Sequence, residues 1–157
     1  FHYGLEAFVL RAKSSGFDAV LVPDLPIEEE KKFQAACKRR GLAQVFLIAP
    51  TTDKSRMVRI AKASSGFIYY VSLRGVTGAR RAVPTDIQKL VKSLKRKTKK
   101  PVLIGFGVST PAQGRKLARL GDGVIVGSAV IDKIRKAKGS LKPVVRYIRS
   151  MTRAVKN

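Results

Sequence analysis

Val102-Leu103-Ile104-Gly105-Phe106-Gly107-Val108-Ser109-Thr110-Pro111-Ala112-Gln113 reads as a strand, a glycine turn and a helix start in immediate succession. The first five residues form a near-continuous apolar run, the pattern of a strand covered on both faces. Gly105 and Gly107 permit a tight turn. Thr110-Pro111-Ala112-Gln113 is a capping box with proline at the first helical position. A strand that passes through so short a turn into a helix is one unit of a parallel α/β fold.

Four more runs of the same character flank it: Asp18 to Val22, Gln44 to Ile48, Phe67 to Val71 and Gly123 to Gly127. Helical patterns lie between them. Leu5, Phe8, Val9 and Ala12 recur at helical spacing, as do Ile87, Leu90, Val91 and Leu94, and Leu141, Val144, Val145, Ile148 and Met151. Each is a one-sided stripe suited to packing on a sheet. After Pro26, Glu28, Glu29 and Glu30 are expected in a first helical turn, where the helix dipole favours negative charge. The order is a helix, then strand and helix alternating five times, which requires parallel strands with crossover helices. Two architectures satisfy it. One is a complete five-stranded doubly wound sheet; the other is five of the eight units of a (β/α)8 TIM barrel. Length favours the first, because a full barrel takes about 250 residues.

The 157 residues are read as one domain, 1–157, with no linker or low-complexity segment. A lone cysteine, Cys37, excludes an internal disulfide framework, and its place on a helical stripe reads as a small core residue. The apolar runs are too short to span a bilayer, so no membrane partner is expected. No signal-peptide pattern is legible. The 33 Lys and Arg outweigh 10 Asp and Glu, for a net charge of +23. Residues 1–78 carry +5 of this and 79–157 carry +18. Such a surplus permits contact with polyanions. It also fits a lysine-rich solvated helix surface. No aromatic side chains interleave with the run from Lys92 to Lys100, and no zinc-finger spacing accompanies it, so nucleic acid is expected to bind only non-specifically.

Ligands of parallel α/β folds bind beyond the carboxyl ends of the strands. The last three strands end in glycine-rich loops: Gly75 to Gly78, Gly105 to Gly107, and Gly127-Ser128. Glycine lets backbone N–H groups approach a phosphate, and Gly127-Ser128 at the start of a short helix adds a helix N-terminus and a hydroxyl. Any one of these glycines also serves a tight turn; three converging on one rim favour phosphate. Asp24, between two prolines at a strand end, is the one well-placed carboxylate, suited either to fixing its loop or to catalysis. Asp122 precedes a strand and belongs to the opposite, stability-bearing rim. Tyr69 and Tyr70 point to opposite faces of their strand. An inward Tyr69 could line an aromatic pocket, or simply pack. No nucleophilic triad, metal-ligand cluster or P-loop is present.

Taken together, Val22-Pro23-Asp24-Leu25-Pro26, Tyr69-Tyr70-Val71-Ser72, Gly75-Val76-Thr77-Gly78-Ala79, Gly105-Phe106-Gly107-Val108-Ser109 and Gly127-Ser128-Ala129 resemble the tryptophan synthase alpha chain, in order and interval, across essentially the whole chain. The resemblance implies a (β/α)8 barrel present as a partial barrel of five parallel strands, the C-terminal part, with strands 1–3 of the family absent. It implies a carbon–carbon lyase of tryptophan biosynthesis that cleaves indole-3-glycerol phosphate to indole and glyceraldehyde 3-phosphate. Gly78, Gly107, Gly127 and Ser128 would hold the substrate phosphate, Tyr69 and Phe106 would line the indole pocket, Thr77 would belong to a mobile loop supporting catalysis, and Asp24 would face a partner subunit. That partner is the beta chain of an alpha-beta heterotetramer, which would carry pyridoxal phosphate; none is implied in this chain, and no metal. The family's acid–base Glu and its partner Asp precede the position of Phe1, so the chain alone would be inactive. The implied location is cytoplasmic, or the stroma of a plastid. The contrasting expectations are a self-contained phosphate-binding α/β domain without catalysis and a basic nucleic-acid-binding protein.

Overall fold

A computed structural model describes residues 2–71, 85–105 and 107–156. The chain runs α1 (Leu5–Ser14), β1 (Ala19–Leu21), α2 (Lys31–Arg39), β2 (Ala43–Ile48), α3 (Lys54–Ala63), β3 (Ile68–Val71), α4 (Thr85–Lys95), β4 (Val102–Gly105), α5 (Pro111–Ala118), β5 (Gly123–Ile125), α6 (Ser128–Lys136) and α7 (Lys142–Lys156). The five strands are parallel and lie side by side in the order β1-β2-β3-β4-β5.

That order decides between the two architectures. A doubly wound sheet reverses its strand order at a switch point and so carries helices on both faces. Consecutive order with right-handed crossovers puts every helix on one face, as in a barrel wall. The burial agrees. Ile48, Tyr70 and Ile104 share one register row, and each is 0% exposed, within a cluster that includes Met57, Ile60, Val91 and Leu94 of α3 and α4. The neighbouring row, Leu47, Tyr69 and Leu103, points to the other face and is only partly buried. The sheet is therefore dry on its helix side and partly wet on the side that a barrel would enclose.

The two edge strands show the same incompleteness. Beside β1, Tyr3, Phe8 and Phe17 are 64%, 41% and 58% exposed around a groove of about 410 Å³. Beside β5, Val124, Val126, Ile148 and Val155 line a groove of about 400 Å³. The helical stripes are correspondingly divided. In α1, Val9 and Ala12 are buried while Phe8 is exposed and meets the Phe33 ring at 6.1 Å. In α7, Val144, Met151 and Ala154 pack inward, and Val145 and Ile148, with Leu141 just before the helix, face outward. The expectation that each whole stripe packs on the sheet is corrected: Phe8 of the α1 stripe is exposed and meets Phe33, and Leu141, Val145 and Ile148 of the C-terminal stripe face outward.

Local signals behave unevenly. The Thr110 capping box forms as the sequence dictates, with Thr110 Oγ1 accepting from Gln113 N–H at 3.3 Å and Gln113 Oε1 accepting from Thr110 N–H at 3.0 Å. The acidic run does not open a helix. Pro26 to Glu29 close a turn, α2 begins at Lys31, and Glu30 occupies the cap position. There it is 6% exposed, and burial pushes its carboxyl pKa up against the opposing pull of Arg59. Glu28 instead pairs with Arg56 and Arg59, each at 3.2 Å.

The N-terminal rim of the sheet is tied at β4. Asp122 Oδ2 accepts from Val102 N–H at 2.9 Å, Oδ1 accepts from Lys95 Nζ at 2.6 Å, and Asp122 N–H donates to the Val102 carbonyl at 2.8 Å. Partial burial raises the Asp122 pKa, but the Lys95 and Val102 hydrogen bonds outweigh it and hold the carboxyl below its ordinary range. Gly121 lies against the same strand, where an added Cβ would meet the Val102 carbonyl oxygen at 2.7 Å. Cys37 is buried, and burial pushes its thiol up to about 11, as fits an inert core residue.

Gly121→Ala is expected to lower stability by about 1–3 kcal/mol in urea unfolding, because backbone cannot swing aside for the new methyl. Asp122→Asn is expected to cost about 1 kcal/mol at neutral pH, after discounting for its exposed position. A depressed folded pKa contributes stability above the unfolded value of about 3.9, and that contribution is lost as pH falls through the folded pKa. The gap between wild type and Asp122→Asn should therefore close on acidification, measured as unfolding midpoints against pH.

Candidate functional site

The C-terminal ends of the strands form one rim. Its centre is built on the pairing of β3, β4 and β5. Val71 pairs with Gly105, and Gly105 pairs with Ile125. Gly107 and Gly127 each stand two residues along the chain beyond that paired row, past the ends of neighbouring strands. Gly107 has φ +71°, a left-handed conformation that an L side chain rarely adopts. The chain then turns through Ser109 into the capping box of α5. Gly127 is the N-cap of α6, and a Cβ there would meet nothing within 4 Å, so its surroundings are open. Ser128, exposed, is the first residue of α6. Two backbone turns and a helix N-terminus bearing a hydroxyl thus stand side by side, an arrangement that suits an anion.

Tyr69 stands on the inner face below this pair. Its ring lies directly over Gly105, where an added Cβ would come within 2.6 Å of both Cε2 and the hydroxyl. Burial raises the Tyr69 phenol pKa. Gly105 is the residue whose role the sequence left unread: it gives the Tyr69 ring room to lean toward the rim, and no local pattern distinguishes it from a turn glycine. Tyr70 points the other way, into the helix-side core.

The α6–α7 arm is anchored to the same rim. Tyr147 donates its hydroxyl to the Ser109 carbonyl at 3.1 Å, and Lys133 Nζ sits 5.6 Å from the centre of its ring. Lower down, a Cβ on Gly114 would meet Met151 Sδ at 2.6 Å, so α7 lies close along α5 in the same direction.

Asp24 belongs to a separate part of the rim. It is exposed, in the turn closed by Leu25 N–H donating to the Val22 carbonyl at 3.3 Å. With Thr51, Thr52, Asp53 and Arg56 it lines a cleft of about 490 Å³ beyond β1 and β2. Asp53 caps α3, accepting from Arg56 N–H at 2.8 Å and Ser55 Oγ at 2.7 Å, and these bonds, the Arg56 one foremost, lower its pKa. Thr52 Oγ1 accepts from Ala49 N–H at 3.0 Å, closing the loop. This second cluster went unread in the sequence, although the Asp53 cap before an amphipathic run is a legible signal.

Of the sequence-derived site residues, Tyr69 lies on β3 and Gly107, Gly127 and Ser128 follow the C-terminal ends of β4 and β5, while Asp24 follows β1. Thr77, Gly78 and Phe106 lie outside the described residues. Among the described residues no cluster of His, Cys, Asp and Glu suits a metal ion, and no helix is long and apolar enough to cross a membrane.

The family model described as tryptophan synthase alpha chain matches residues 1–157. Curated tryptophan synthase alpha chains from Opitutus terrae and Citrifermentans bemidjiense are 44% and 46% identical over 140 residues, covering 89% of this chain and 53% and 52% of theirs. The chain therefore spans about half the length of the curated relatives it matches. A solved tryptophan synthase from Mycobacterium tuberculosis superposes with a TM-score of 0.88 at 32% identity, over 99% of this chain and 58% of that one. The tryptophan synthase alpha chain of Legionella pneumophila gives 0.83 at 32% identity over the same shares.

Gly105→Ala is expected to push the Tyr69 ring off its seat and to cost about 1–3 kcal/mol of stability. In a Tyr69→Ala background the same change should cost far less, a coupling that a double-mutant cycle of urea midpoints measures.

Proposed function

We propose, for a chain that belongs to the tryptophan synthase alpha chain family, a part in tryptophan biosynthesis as the phosphate- and indole-binding portion of an alpha subunit cleaving indole-3-glycerol phosphate to indole and glyceraldehyde 3-phosphate. The observation that carries this reading is the pairing of Gly105 with Ile125, from which Gly107 and Gly127-Ser128 follow on neighbouring strands, with the Tyr69 ring over Gly105. An anion grip above an aromatic wall matches a substrate with a phosphate at one end and an indole at the other.

In this reading the backbone N–H groups at Gly107 and Gly127 and the Ser128 hydroxyl take the phosphate, with Gly78 as a further donor. Tyr69 and Phe106 flank the indole, and Thr77 belongs to the loop that covers it. Cleavage of the bond between indole C3 and the glycerol chain needs one proton delivered to C3 and one removed from the adjacent hydroxyl. No pair of carboxylates faces Tyr69 among the described residues, so this reading assigns proton transfer to the family's Glu and Asp on further βα units. The chain then forms the C-terminal part of the barrel, residues 1–157 as one domain, and the two edge grooves receive the flanking units. Asp24 and its cleft face the beta chain, which holds the pyridoxal phosphate. Phosphate binding without catalysis is the second reading, supported by the lack of an acid–base pair in the described site.

The test is indole release from indole-3-glycerol phosphate by this chain, alone and mixed with a fragment carrying the first three βα units of a relative. Indole is expected only from the mixture. Release by the chain alone would contradict the assignment of proton transfer and turn attention to Asp24. In the active mixture, Ser128→Ala should raise KM about tenfold, the loss of one charge-assisted hydrogen bond of about 1.5 kcal/mol.

A further inference from the structure

The fold sorts the excess charge. α2 to α5 each descend from the C-terminal rim of one strand to the N-terminal rim of the next, and α1 and α7 end at that lower rim as well. All six helices carry Lys or Arg in their last turn. Some of these cations have work within the fold. Lys100 Nζ donates to the Ala61 and Lys62 carbonyls at 2.9 and 2.8 Å, closing the end of α3, and Lys95 holds Asp122. Others do not. Lys38, Arg40, Lys62, Lys97 and Lys99 are exposed and meet no carboxylate among the described residues.

These groups adjoin one another. Lys38 at the end of α2, Lys62 at the end of α3 and Lys100 before β4 line one cleft of about 520 Å³, together with Gln34, Gln44 and Ser65 and without a carboxylate. Arg40, Lys97 and Lys99 continue the patch on either side. Of the acidic groups near these helix ends, Glu6 pairs with Arg39 in the last turn of α2, Asp122 is engaged by Lys95, and Asp18 precedes β1. Helix C-termini attract cations, but one per helix satisfies that demand, and here Lys38, Arg39 and Arg40 crowd the end of α2 while Arg96, Lys97, Lys99 and Lys100 follow α4.

We propose that the N-terminal rim around the Lys38–Lys62–Lys100 cleft is a docking face for the phosphodiester backbone of nucleic acid, read without regard to base sequence. The patch extends across the ends of three helices, wider than a single phosphate requires and suited to a line of them. The exposed aromatic side chains Tyr3, Phe8 and Phe17 gather in the groove beside β1 and none lines the Lys38–Lys62–Lys100 cleft, so the cleft carries no exposed apolar wedge of the kind by which basic surfaces enter a bilayer. No aromatic side chain lines that cleft, so it offers no platform for unstacked bases and leaves backbone contact. This face is the rim opposite the Gly107–Gly127 site, and the inference stands whether or not that site binds indole-3-glycerol phosphate.

The experiment is fluorescence anisotropy of a short labelled RNA duplex titrated with the chain, between about 50 and 200 mM salt. The variant Lys38→Gln, Lys62→Gln, Lys97→Gln is compared with Lys136→Gln, Lys138→Gln, Lys142→Gln, an equal change of charge on the α6–α7 arm near the other rim. The rim variant is expected to bind at least tenfold more weakly, with a log–log salt slope smaller by about 2.7, as three fewer phosphates are neutralised. The arm variant should change little. Equal weakening by both variants would overturn the proposal, because binding would then follow net charge and not this face. Absence of binding at low salt would overturn it too, as would tighter, rim-dependent binding to phosphatidylglycerol vesicles than to RNA.

Discussion

The constraint on which the molecule depends is the consecutive order of five parallel strands. Parallel neighbours need crossover helices, and right-handed crossovers in unbroken order place those helices on one face. One face of the sheet is thereby sealed by Ile48, Tyr70 and Ile104 against α3 and α4. The other is left apolar and partly open along Leu47, Tyr69 and Leu103. Burying one such side chain fully stabilises a fold by about 1.5–3 kcal/mol, so an uncovered row is a substantial unmet driving force. The grooves beside β1 and β5, and the outward-facing Phe8 of α1 and Val145 and Ile148 of α7, express the same shortage at the edges.

The same order divides the labour between the rims. Strand C-termini and helix N-termini meet at one rim, which gathers backbone donors and the glycines that expose them. Helix C-termini meet at the other, where Asp122 clasps β4 and Lys100 closes α3. Substitutions at Gly121 or Asp122 are expected to act on stability, and those at Gly107, Gly127 or Ser128, on the proposed reading, on a ligand. Gly105 connects the two concerns, since the space it leaves is filled by a ring that the substrate reading uses.

Much of this was legible in the residues. The five apolar runs became the five strands with ends shifted by a residue or two, and the Thr110 box capped α5 as written, because strand burial and capping are encoded locally. Asp122 fell on the stability rim for the same reason, its place before a strand. Periodicity and length did not choose the architecture, since length favoured a doubly wound sheet; the motifs resembling the tryptophan synthase alpha chain pointed to a partial barrel, and the strand order, a long-range property, bears that out. Glu28 to Glu30 misled because Arg56 and Arg59, distant in sequence, draw Glu28 into ion pairs while the chain is still turning. The apolar stripes of α1 and α7 named the right period but not the cover, since periodicity reports an apolar face without saying what lies against it. At the site, Gly107, Gly127 and Ser128 were readable as strand-end residues. The seat that Gly105 makes for Tyr69 was not, because it depends on a neighbouring strand.

The central claim is that this sheet is an open arc whose inner face awaits further βα units. It is tested most directly by titrating the chain with a fragment bearing the first three units of a relative, while following an apolar-surface dye and sedimentation together. The account predicts bright dye binding by the chain alone and a one-to-one complex in which that fluorescence collapses. A dye-silent monomer that ignores the fragment and unfolds cooperatively would contradict it, and would make the chain a self-contained domain.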